Sequence, residues 1–212
     1  MDTKQAYNVW ASQYDTNLNK TRDLEAMALR TCLAAIPFDS CLEIGCGTGK
    51  NTEWLMERAQ QVTAVDFSEE MLARASKKIH SGRVLFRQAD INKDWTFRDG
   101  RYGLVSFSLV LEHIRELGHV FGEASKSLLP GGYIYIGELH PFKQYSGSKA
   151  RFDTDTGQQI VECFTHHISD FTGAAKKHGL EIVSIGEWFD GDDRMGIPRI
   201  LAMLLRKNDP IL

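Results

Sequence analysis

The sequence predicts an α/β fold, a three-layer sandwich in which a mostly parallel sheet of seven strands has helices on both faces. Short apolar runs, typical of buried strands, alternate along the chain with longer amphipathic stretches of helical period. A glycine-rich turn follows the first apolar run, as expected where a strand leads into a helix beside a ligand. The chain has 212 residues, 42% of them hydrophobic, which suffices for one sizeable core but hardly for two. We therefore expect a single domain over residues 1–212.

The predicted strands are apolar runs bounded by turn residues. They are Cys41–Gly45, Val62–Asp66, Val84–Ala89, Leu104–Ser108, Tyr133–Glu138, Glu181–Gly186 and Ile200–Arg206. The predicted helices between them are Thr48–Arg58, Glu69–His80, Leu117–Leu128 and Ile168–His178. Ser68 is the expected N-cap of the second helix, because its hydroxyl can accept a hydrogen bond from a free amide of the first turn.

Two regions lie outside this alternation. Residues Ala6–Ile36 have a helical pattern and predict an N-terminal helical cap over about residues 1–36. Residues 140–165 are polar and contain Pro141, Gly147 and Gly157, so we expect an irregular insertion on the substrate side of the sheet. Such a segment is typical of a binding loop or lid, and a disordered surface loop is the alternative.

Composition bears on partners and location. Lys and Arg number 25 against 28 Asp and Glu, a formal charge of −3, which argues against nucleic acid as the partner. No run approaches the roughly 20 apolar residues that span a bilayer, and the first residues do not resemble a signal peptide. We expect a cytoplasmic protein that does not bind membranes, either monomer or homodimer, whose four cysteines are reduced thiols.

The strongest local motif is Leu42–Gly49, an apolar strand that ends in closely spaced glycines. Glycines let the backbone turn tightly and approach a ligand without side-chain collision. The next strand ends at Asp66, and an acid at that position can accept hydrogen bonds from both hydroxyls of a ribose. Turn and acid together predict an adenosine-type cofactor. A nicotinamide-dependent oxidoreductase is disfavoured, because a dinucleotide fingerprint requires glycine where this chain has Lys50.

The spacing Gly45-x-Gly47-x-Gly49 behind Glu43 resembles the first motif of the class I S-adenosylmethionine-dependent methyltransferases, whose fold is Rossmann-like. The resemblance extends from Tyr7 to Arg206. Its further motifs are Val65–Leu72, Arg87–Ile91, Tyr102–Ile114 and Leu128–Tyr133. The chain departs from the family at Tyr102 and Gly103, where an Asp is frequent, so no carboxylate early in that strand is expected to matter.

The resemblance implies S-adenosylmethionine as the cofactor and assigns roles to individual residues. Asp66 would accept from the ribose, Asp90 from the adenine amine, and Met71 and Ile91 would lie near the adenine ring. The implied cofactor-binding residues are Glu43, Gly45, Gly47, Gly49, Asp66, Phe67, Met71, Asp90, Ile91 and Leu109. Ordinary strand-end acids and core residues are the alternatives for Glu43, Asp90, Met71 and Ile91.

Methyl transfer requires alignment, exclusion of water and, where the acceptor loses a proton, a base, for which histidine is well suited near neutral pH. The catalytic candidates are His140, His166 and His167, with His140 expected at the mouth of the site. For one of the latter two a purely structural role is the alternative, because Ser169 or Asp170 can cap the helix that follows. These three are too widely spaced for a convincing metal site, so no metal is predicted.

The expected substrate-side residues come from the N-terminal cap and from the segment after the fourth strand. They are Tyr7, Trp10, Tyr14, Glu112 and His113. The three aromatic residues share one helical face, which fits a lid over the ligands and fits a core contact equally well. The predicted function is transfer of a methyl group from S-adenosylmethionine to N or O of a small-molecule metabolite by in-line displacement. A catalytically silent cofactor-binding scaffold and a methyltransferase acting on RNA or protein are the alternatives.

Overall fold

The computed structural model describes residues 2–16, 18–154, 157–191 and 194–208. The helices are α1 (Thr3–Trp10), α2 (Lys20–Leu33), α3 (Lys50–Arg58), α4 (Glu69–Lys78), α5 (Leu117–Ser127), α6 (Pro141–Tyr145) and α7 (Ile168–Lys177). The strands are β1 (Ser40–Ile44), β2 (Gln61–Asp66), β3 (Val84–Gln88), β4 (Tyr102–Ser108), β5 (Leu128–Leu139), β6 (Arg151–Thr154), β7 (Gly157–Ile160), β8 (Leu180–Trp188) and β9 (Ile200–Lys207). Each of the seven sheet strands and four helices predicted between them corresponds to one of these elements.

The main sheet has seven strands in the order β3-β2-β1-β4-β5-β9-β8. β1, β2, β3, β4 and β5 pair in parallel, whereas β9 runs antiparallel to both β5 and β8. The predicted mostly parallel α/β sheet is therefore confirmed. The chain reverses its strand order between β1 and β4, and ligands bind at such a switch point beyond the carboxyl ends of the strands.

The central strands are buried on both faces, as their continuous apolar runs predict. Leu42 and Ile44 pack into one hydrophobic cluster, which also contains Trp95 and Phe121. Cys41, the residue before Leu42, belongs to a second cluster on the opposite face, beneath α2 and α3. Alternate side chains of one strand thus serve two cores, and this packing fixes the register that aligns the strand ends.

The region Ala6–Ile36, expected to be helical, contains more than one helix. α1 ends at Trp10 and passes into a short 3-10 helix, Ala11–Gln13, before α2 begins at Lys20. The break follows from capping, because Oδ1 of Asn19 accepts hydrogen bonds from two amides of the first turn of α2. The N-terminal region therefore has two separately capped helices.

The expectation of irregular structure over residues 140–165 is wrong for part of the segment, which contains a helix and a hairpin. Pro141 opens the short helix α6, and β6 pairs with β7 in an antiparallel hairpin. The hairpin is held by packing, since Phe152 and Val161 are buried with Trp10 in a third hydrophobic cluster. These elements are four or five residues long, too short for their periodicity to be recognised in the sequence.

None of the helices in the described part of the chain combines the length and apolar composition that a membrane span requires.

Candidate active site

A cavity of about 470 Å³ lies at the carboxyl ends of β1, β2 and β4, within the size range of small-ligand sites. Eight of the ten predicted cofactor-binding residues line it. They are Gly45, Gly47, Asp66, Phe67, Met71, Asp90, Ile91 and Leu109. The fold therefore brings residues of four separate sequence motifs together around one cavity.

The turn after β1 follows a path that only glycine permits. The amides of Gly45 and Cys46 both donate to the carbonyl oxygen of Val65, at 2.8 and 3.0 Å, and Gly45 has a φ of +74°. A Cβ at Gly45 would overlap Cγ2 of Val110. Gly49 also has positive φ, but a Cβ there would meet Cδ1 of Ile79 at 2.8 Å, so this glycine permits helix packing rather than access to the cavity.

Asp66 connects the turns that follow β1 and β2. Its Oδ2 accepts from the amide of Gly47 and its Oδ1 from the amide of Ser68, both at 2.8 Å. Burial raises the pKa of Asp66, and these backbone donors oppose the rise. Because a carboxylate oxygen can accept more than one hydrogen bond, both oxygens retain capacity for the hydroxyls of a ribose in the cavity.

The opposite end of the cavity suits a flat aromatic ring. Met71 and Ile91 are buried and line it, while Phe67 is 40% exposed at its rim. Oδ1 of Asp90 accepts from the backbone amide of Asn92 at 3.1 Å and from its side chain at 3.0 Å. This places a hydrogen-bond acceptor next to apolar walls, as the recognition of an adenine requires.

Glu43 lies beneath the glycine turn instead of in the main cavity. It accepts a 2.5 Å hydrogen bond from the hydroxyl of Thr52, and it lines a smaller cavity of about 60 Å³ with Glu25. Burial raises the pKa of Glu43 to about 8 and that of Glu25 to about 7. Burial of a carboxylate costs free energy unless the group is protonated or hydrogen-bonded.

The N-terminal cap contacts the cavity through Tyr7 and Tyr14, and Tyr7 bonds to His113. Nδ1 of His113 lies 2.8 Å from the carbonyl oxygen of Glu162. A carbonyl only accepts, so Nδ1 carries the proton and the other nitrogen, Nε2, accepts from the Tyr7 hydroxyl at 2.8 Å.

The cap is also bonded to the turns after β1 and β2. The hydroxyl of Thr48 donates to Asp15 and that of Ser68 to Asn8, each at 2.6 Å. Tyr7 and Trp10 stack at 5.6 Å, and Trp10 stacks on Phe152 of the hairpin at 5.1 Å. The aromatic stripe is thus both a small core and part of the cavity wall.

A second cavity of about 270 Å³ lies on the other side of this wall. It shares Tyr7, Tyr14 and Leu109 with the first, and it contains the predicted residues Trp10 and Glu112. Glu112 is 6% exposed, and its Oε2 has no hydrogen-bond partner among the described residues. Burial raises the pKa of Glu112, and the His113 ring and contacts of the carboxylate with the side chains of Cys163 and Gln144 partly offset this.

Glu138 positions the segment that separates the two cavities. Its Oε1 accepts from the amides of Val110 and Leu111, at 3.0 and 2.8 Å. Leu109 just before them has a φ of +57°, unusual for a residue with a branched side chain. Burial, followed by the nearby charge of Glu112, raises the pKa of Glu138 to about 8.

Comparison with known proteins identifies this arrangement. A methyltransferase-domain family model matches residues 42–136. An uncharacterized methyltransferase of Emericella nidulans, AN0656, is 25% identical over 87% of this chain and 78% of its own length. A malonyl-acyl-carrier protein O-methyltransferase of Pectobacterium atrosepticum is 27% identical over 83% of this chain and 68% of its own length. A demethylmenaquinone methyltransferase of Leptospira interrogans is 35% identical, but this chain covers only 39% of it.

Solved structures agree with the family model. The DhpI complex with S-adenosylhomocysteine (SAH) is 25% identical over 97% of this chain and 95% of its own, with a TM-score of 0.77. The family model, the relatives and this structure together support a class I S-adenosylmethionine-dependent methyltransferase. S-adenosylmethionine is its cofactor, and the predicted Rossmann-like fold is confirmed.

The methyltransferase does not place the three predicted catalytic histidines at either large cavity. The expectation that His140 stands at the mouth of the site is wrong, because its side chain is fully buried. Its Nδ1 accepts from the amide of Phe142 at 3.2 Å, and its Nε2 lies 3.2 Å from Oε1 of Glu187. His140 thus stabilises the start of α6 against β8.

His166 and His167 are likewise engaged elsewhere in the methyltransferase. Nε2 of His166 donates to the carbonyl oxygen of Ile114 at 2.7 Å. Nδ1 of His167 lies 2.6 Å from the hydroxyl of Tyr145, and its amide donates to Asp170 in the first turn of α7. Their contacts support structural roles and give no support to a catalytic one.

Sequence reasoning missed several residues of the methyltransferase's cavities. Glu162 and Phe164 line the cofactor cavity, and Lys149 and Arg151 line the second one. All four belong to the 140–165 segment, for which a binding role was expected without individual residues. Only hairpin pairing and the 2.7 Å bond from the amide of Phe164 to the carbonyl of Glu112 bring them to the site.

Ligand atoms of Glu112, His113 and Cys163 lie within 4.8 Å of one another, a spacing compatible with a metal ion. Both nitrogens of His113, however, are already engaged, one with Glu162 and the other with Tyr7. The cluster therefore supplies no free imidazole nitrogen for a metal.

Proposed function

We propose that the enzyme transfers the methyl group of S-adenosylmethionine to an oxygen or nitrogen atom of a small molecule bound in the second cavity. The observation that carries the proposal is the shared wall of Tyr7, Tyr14 and Leu109 between the two cavities. Because these residues line both cavities, the cavities are neighbours, and the side chains of this wall must leave an opening through which the acceptor atom reaches the methyl carbon directly. Alignment of two reactants is the largest contribution that a protein makes to such a displacement.

When bound, S-adenosylmethionine supplies an activated methyl group whose C–S bond breaks as the bond to the acceptor forms. Asp66, Asp90, Met71 and the glycine turn hold the cofactor in the larger cavity. The N-terminal cap and Phe164 cover the cofactor, which keeps the reactants aligned. They also exclude water, which prevents hydrolysis.

We assign to Glu112, instead of to a histidine, the role of the base that takes the proton from the methyl acceptor. Glu112 lines the second cavity, is buried, and has an oxygen without a partner among the described residues. A carboxylate whose pKa is raised by burial is a better proton acceptor than an exposed one. Tyr7 keeps His113 from this role, because its hydroxyl occupies Nε2.

The size of the second cavity favours a small acceptor over RNA or protein. Its volume of about 270 Å³ leaves room for a small molecule, and the formal charge of −3 of the whole chain argues against RNA. The relatives act, by their names, on different acceptors, a quinone precursor and a carrier-bound acyl group. Family membership therefore leaves the acceptor to be inferred from this chain's own residues.

The test is Glu112→Gln, with SAH binding measured by calorimetry and methyl transfer measured by release of SAH. We expect SAH affinity within about twofold of wild type and a fall in kcat of about 100-fold, the usual contribution of a positioned base. Glu116→Gln is the matched control, because Glu116 is exposed and lies four residues after Glu112 in the chain. Equal kcat in the two variants would overturn the role of Glu112.

A further inference from the structure

The second cavity differs in charge from the rest of the molecule. Its wall contains four cationic side chains, Arg22, Lys149, Arg151 and Arg199, and one carboxylate, Glu112. The whole chain has a formal charge of −3. A local excess of positive charge on a net acidic protein requires an explanation, because like charges that share a cavity wall repel one another.

Internal contacts account for two of the four cations. Arg199 forms a two-pronged ion pair with Asp190 and also donates to the hydroxyl of Thr21 at 3.1 Å. Arg22 donates to the carbonyl of Tyr14 and lies over its ring at 4.0 Å. These two side chains are parts of the scaffold.

Lys149 and Arg151 are different. Both are exposed, and neither side chain has a hydrogen bond or an ion pair among the described residues. They are two residues apart, on either side of Ala150, and both line the same cavity. Two adjacent uncompensated cations at a cavity form a site for an anionic group.

The backbone of this segment is fixed on both sides. The amide of Val161 donates to the carbonyl of Ala150 at 2.9 Å, which extends the hairpin ladder between Lys149 and Arg151. Phe152, the next residue, is buried and stacks on Trp10 with an interplanar angle of 13°. The two cations are therefore held at the cavity by ordered neighbours, which lowers the entropic cost of binding.

The single carboxylate lies at the buried part of the same cavity. Glu112 is 6% exposed, whereas Lys149 and Arg151 lie at the solvent-exposed rim. An anion next to Glu112 would be repelled, while a hydroxyl or amine there would donate to its unpartnered oxygen. The cavity thus has a polarity, with a proton acceptor inside and an anion site outside.

We propose that the methyl acceptor is a small molecule with two groups. A hydroxyl or amine, which receives the methyl group, faces Glu112, and a carboxylate or phosphonate-type anion binds Lys149 and Arg151. The anion is the recognition element and is not itself methylated. This inference rests on the proposed function, because it takes the second cavity as the acceptor site.

The first test compares matched acceptors that differ only in the anion. The hydroxyl series is 3-hydroxypropionate, 3-hydroxypropylphosphonate and 1,3-propanediol, and the amine series is 3-aminopropionate, 3-aminopropylphosphonate and 3-aminopropanol. SAH release reports turnover, and the unfolding temperature of the SAH complex reports binding. In each series we expect the anionic acceptors to have a kcat/KM at least about tenfold above that of the neutral acceptor. This ratio corresponds to the free energy that one charge-assisted hydrogen bond contributes. The carboxylate and phosphonate arms identify which anion is preferred.

The second test removes the cations. The double variant Lys149→Ala/Arg151→Ala is expected to raise KM for the preferred anionic acceptor about tenfold or more, with kcat and SAH affinity unchanged. The control is Lys176→Ala/Lys177→Ala, which removes the same charge from exposed positions on α7. Raised ionic strength should weaken the binding of the anionic acceptor to wild type and should have less effect on its binding to the double variant.

The outcomes separate the two proposals. The anion site would be overturned if neutral acceptors had the same kcat/KM as the anionic ones, or if the double variant had the same KM as its control. Either result would leave the methyl-transfer assignment intact. If wild type binds SAH but no member of either series is methylated or raises the unfolding temperature, the second cavity is not the acceptor site and both proposals fail.

Discussion

The hydroxyl of Tyr7 lies 2.8 Å from Nε2 of His113, and this bond joins the N-terminal helix α1 to the segment after β4. The two residues are separated by 106 positions in the chain. The bond closes the cap over the cofactor cavity, and the carbonyl oxygen of Glu162 at Nδ1 fixes which nitrogen of His113 carries the proton.

Tyr7→Phe should weaken the closed cap without loss of its aromatic packing. One neutral hydrogen bond contributes about 1 kcal/mol, so we expect SAH to dissociate about fivefold faster, as the cap opens more often. Stopped-flow displacement of SAH measures the rate. Tyr145→Phe is the matched control, because it removes a hydroxyl bonded to His167 at an exposed position away from both large cavities. Identical rates in the two variants would show that the cap does not retain the ligand.

Asp66→Asn should reduce cofactor affinity. The change keeps the size of the side chain but replaces one acceptor oxygen and the charge, so hydrogen bonds to the ribose lose charge assistance. We expect the Kd for SAH to rise about 10- to 100-fold, because bonds to charged groups contribute about 1.5–3 kcal/mol. Calorimetric titration measures it. Asp94→Asn, at an exposed position outside the cavity, should bind as wild type does. An unchanged Kd in Asp66→Asn would remove Asp66 from the cofactor site.

Gly45→Ala should destabilise the turn after β1. Its φ of +74° disfavours any residue with a Cβ, and the added methyl group would overlap Val110. We expect a loss of about 2 kcal/mol or more in the free energy of unfolding, measured by urea titration, with SAH binding abolished. Gly82→Ala is the control, since no atom lies within 4 Å of a Cβ there. Comparable stability of the two variants would contradict the described turn.

The buried acids should make stability depend on pH. Burial raises the pKa of Glu43 to about 8, well above the value near 4.5 of an unfolded chain. Between these values the folded state keeps a proton that the unfolded state has released, so the free energy of unfolding should fall as pH rises from about 4.5 to 8. Glu43→Gln cannot release a proton and should flatten this part of the profile, as measured by urea titration across pH. Glu57→Gln, an exposed substitution on α3, should leave the slope as in wild type.

The cofactor half of the site was largely predictable from the sequence. The glycine turn, Asp66 and the Asp90-Ile91 pair follow directly on strands whose apolar pattern is strong. Parallel strands place such ends together at one edge of a sheet, so local motifs sufficed to locate a shared cavity. Gly49 is the instructive exception, because it belongs to the motif but serves the packing of α3 against α4.

The acceptor half was not predictable in the same way. His140 follows the end of β5, as a catalytic residue would, yet the chain turns into α6 and buries it against Glu187. Glu112 was expected near the substrate, but nothing in the sequence distinguished it from a histidine as the proton acceptor. Its unpartnered oxygen depends on how residues 162–164 pack against residues 112–114.

The sequence by itself determined the parallel sheet, the cofactor class and the gathering of most predicted cofactor-binding residues at one cavity. It did so because strand periodicity and glycine spacing are local properties of short segments. Only the tertiary structure decided which histidines are buried, where Lys149 and Arg151 lie, and how the aromatic cap divides one cavity from the other. Those features depend on tertiary contacts, such as His140 with Glu187, Tyr7 with His113 and Trp10 with Phe152. No local pattern encodes such pairs, since each forms only when distant segments of the chain pack together.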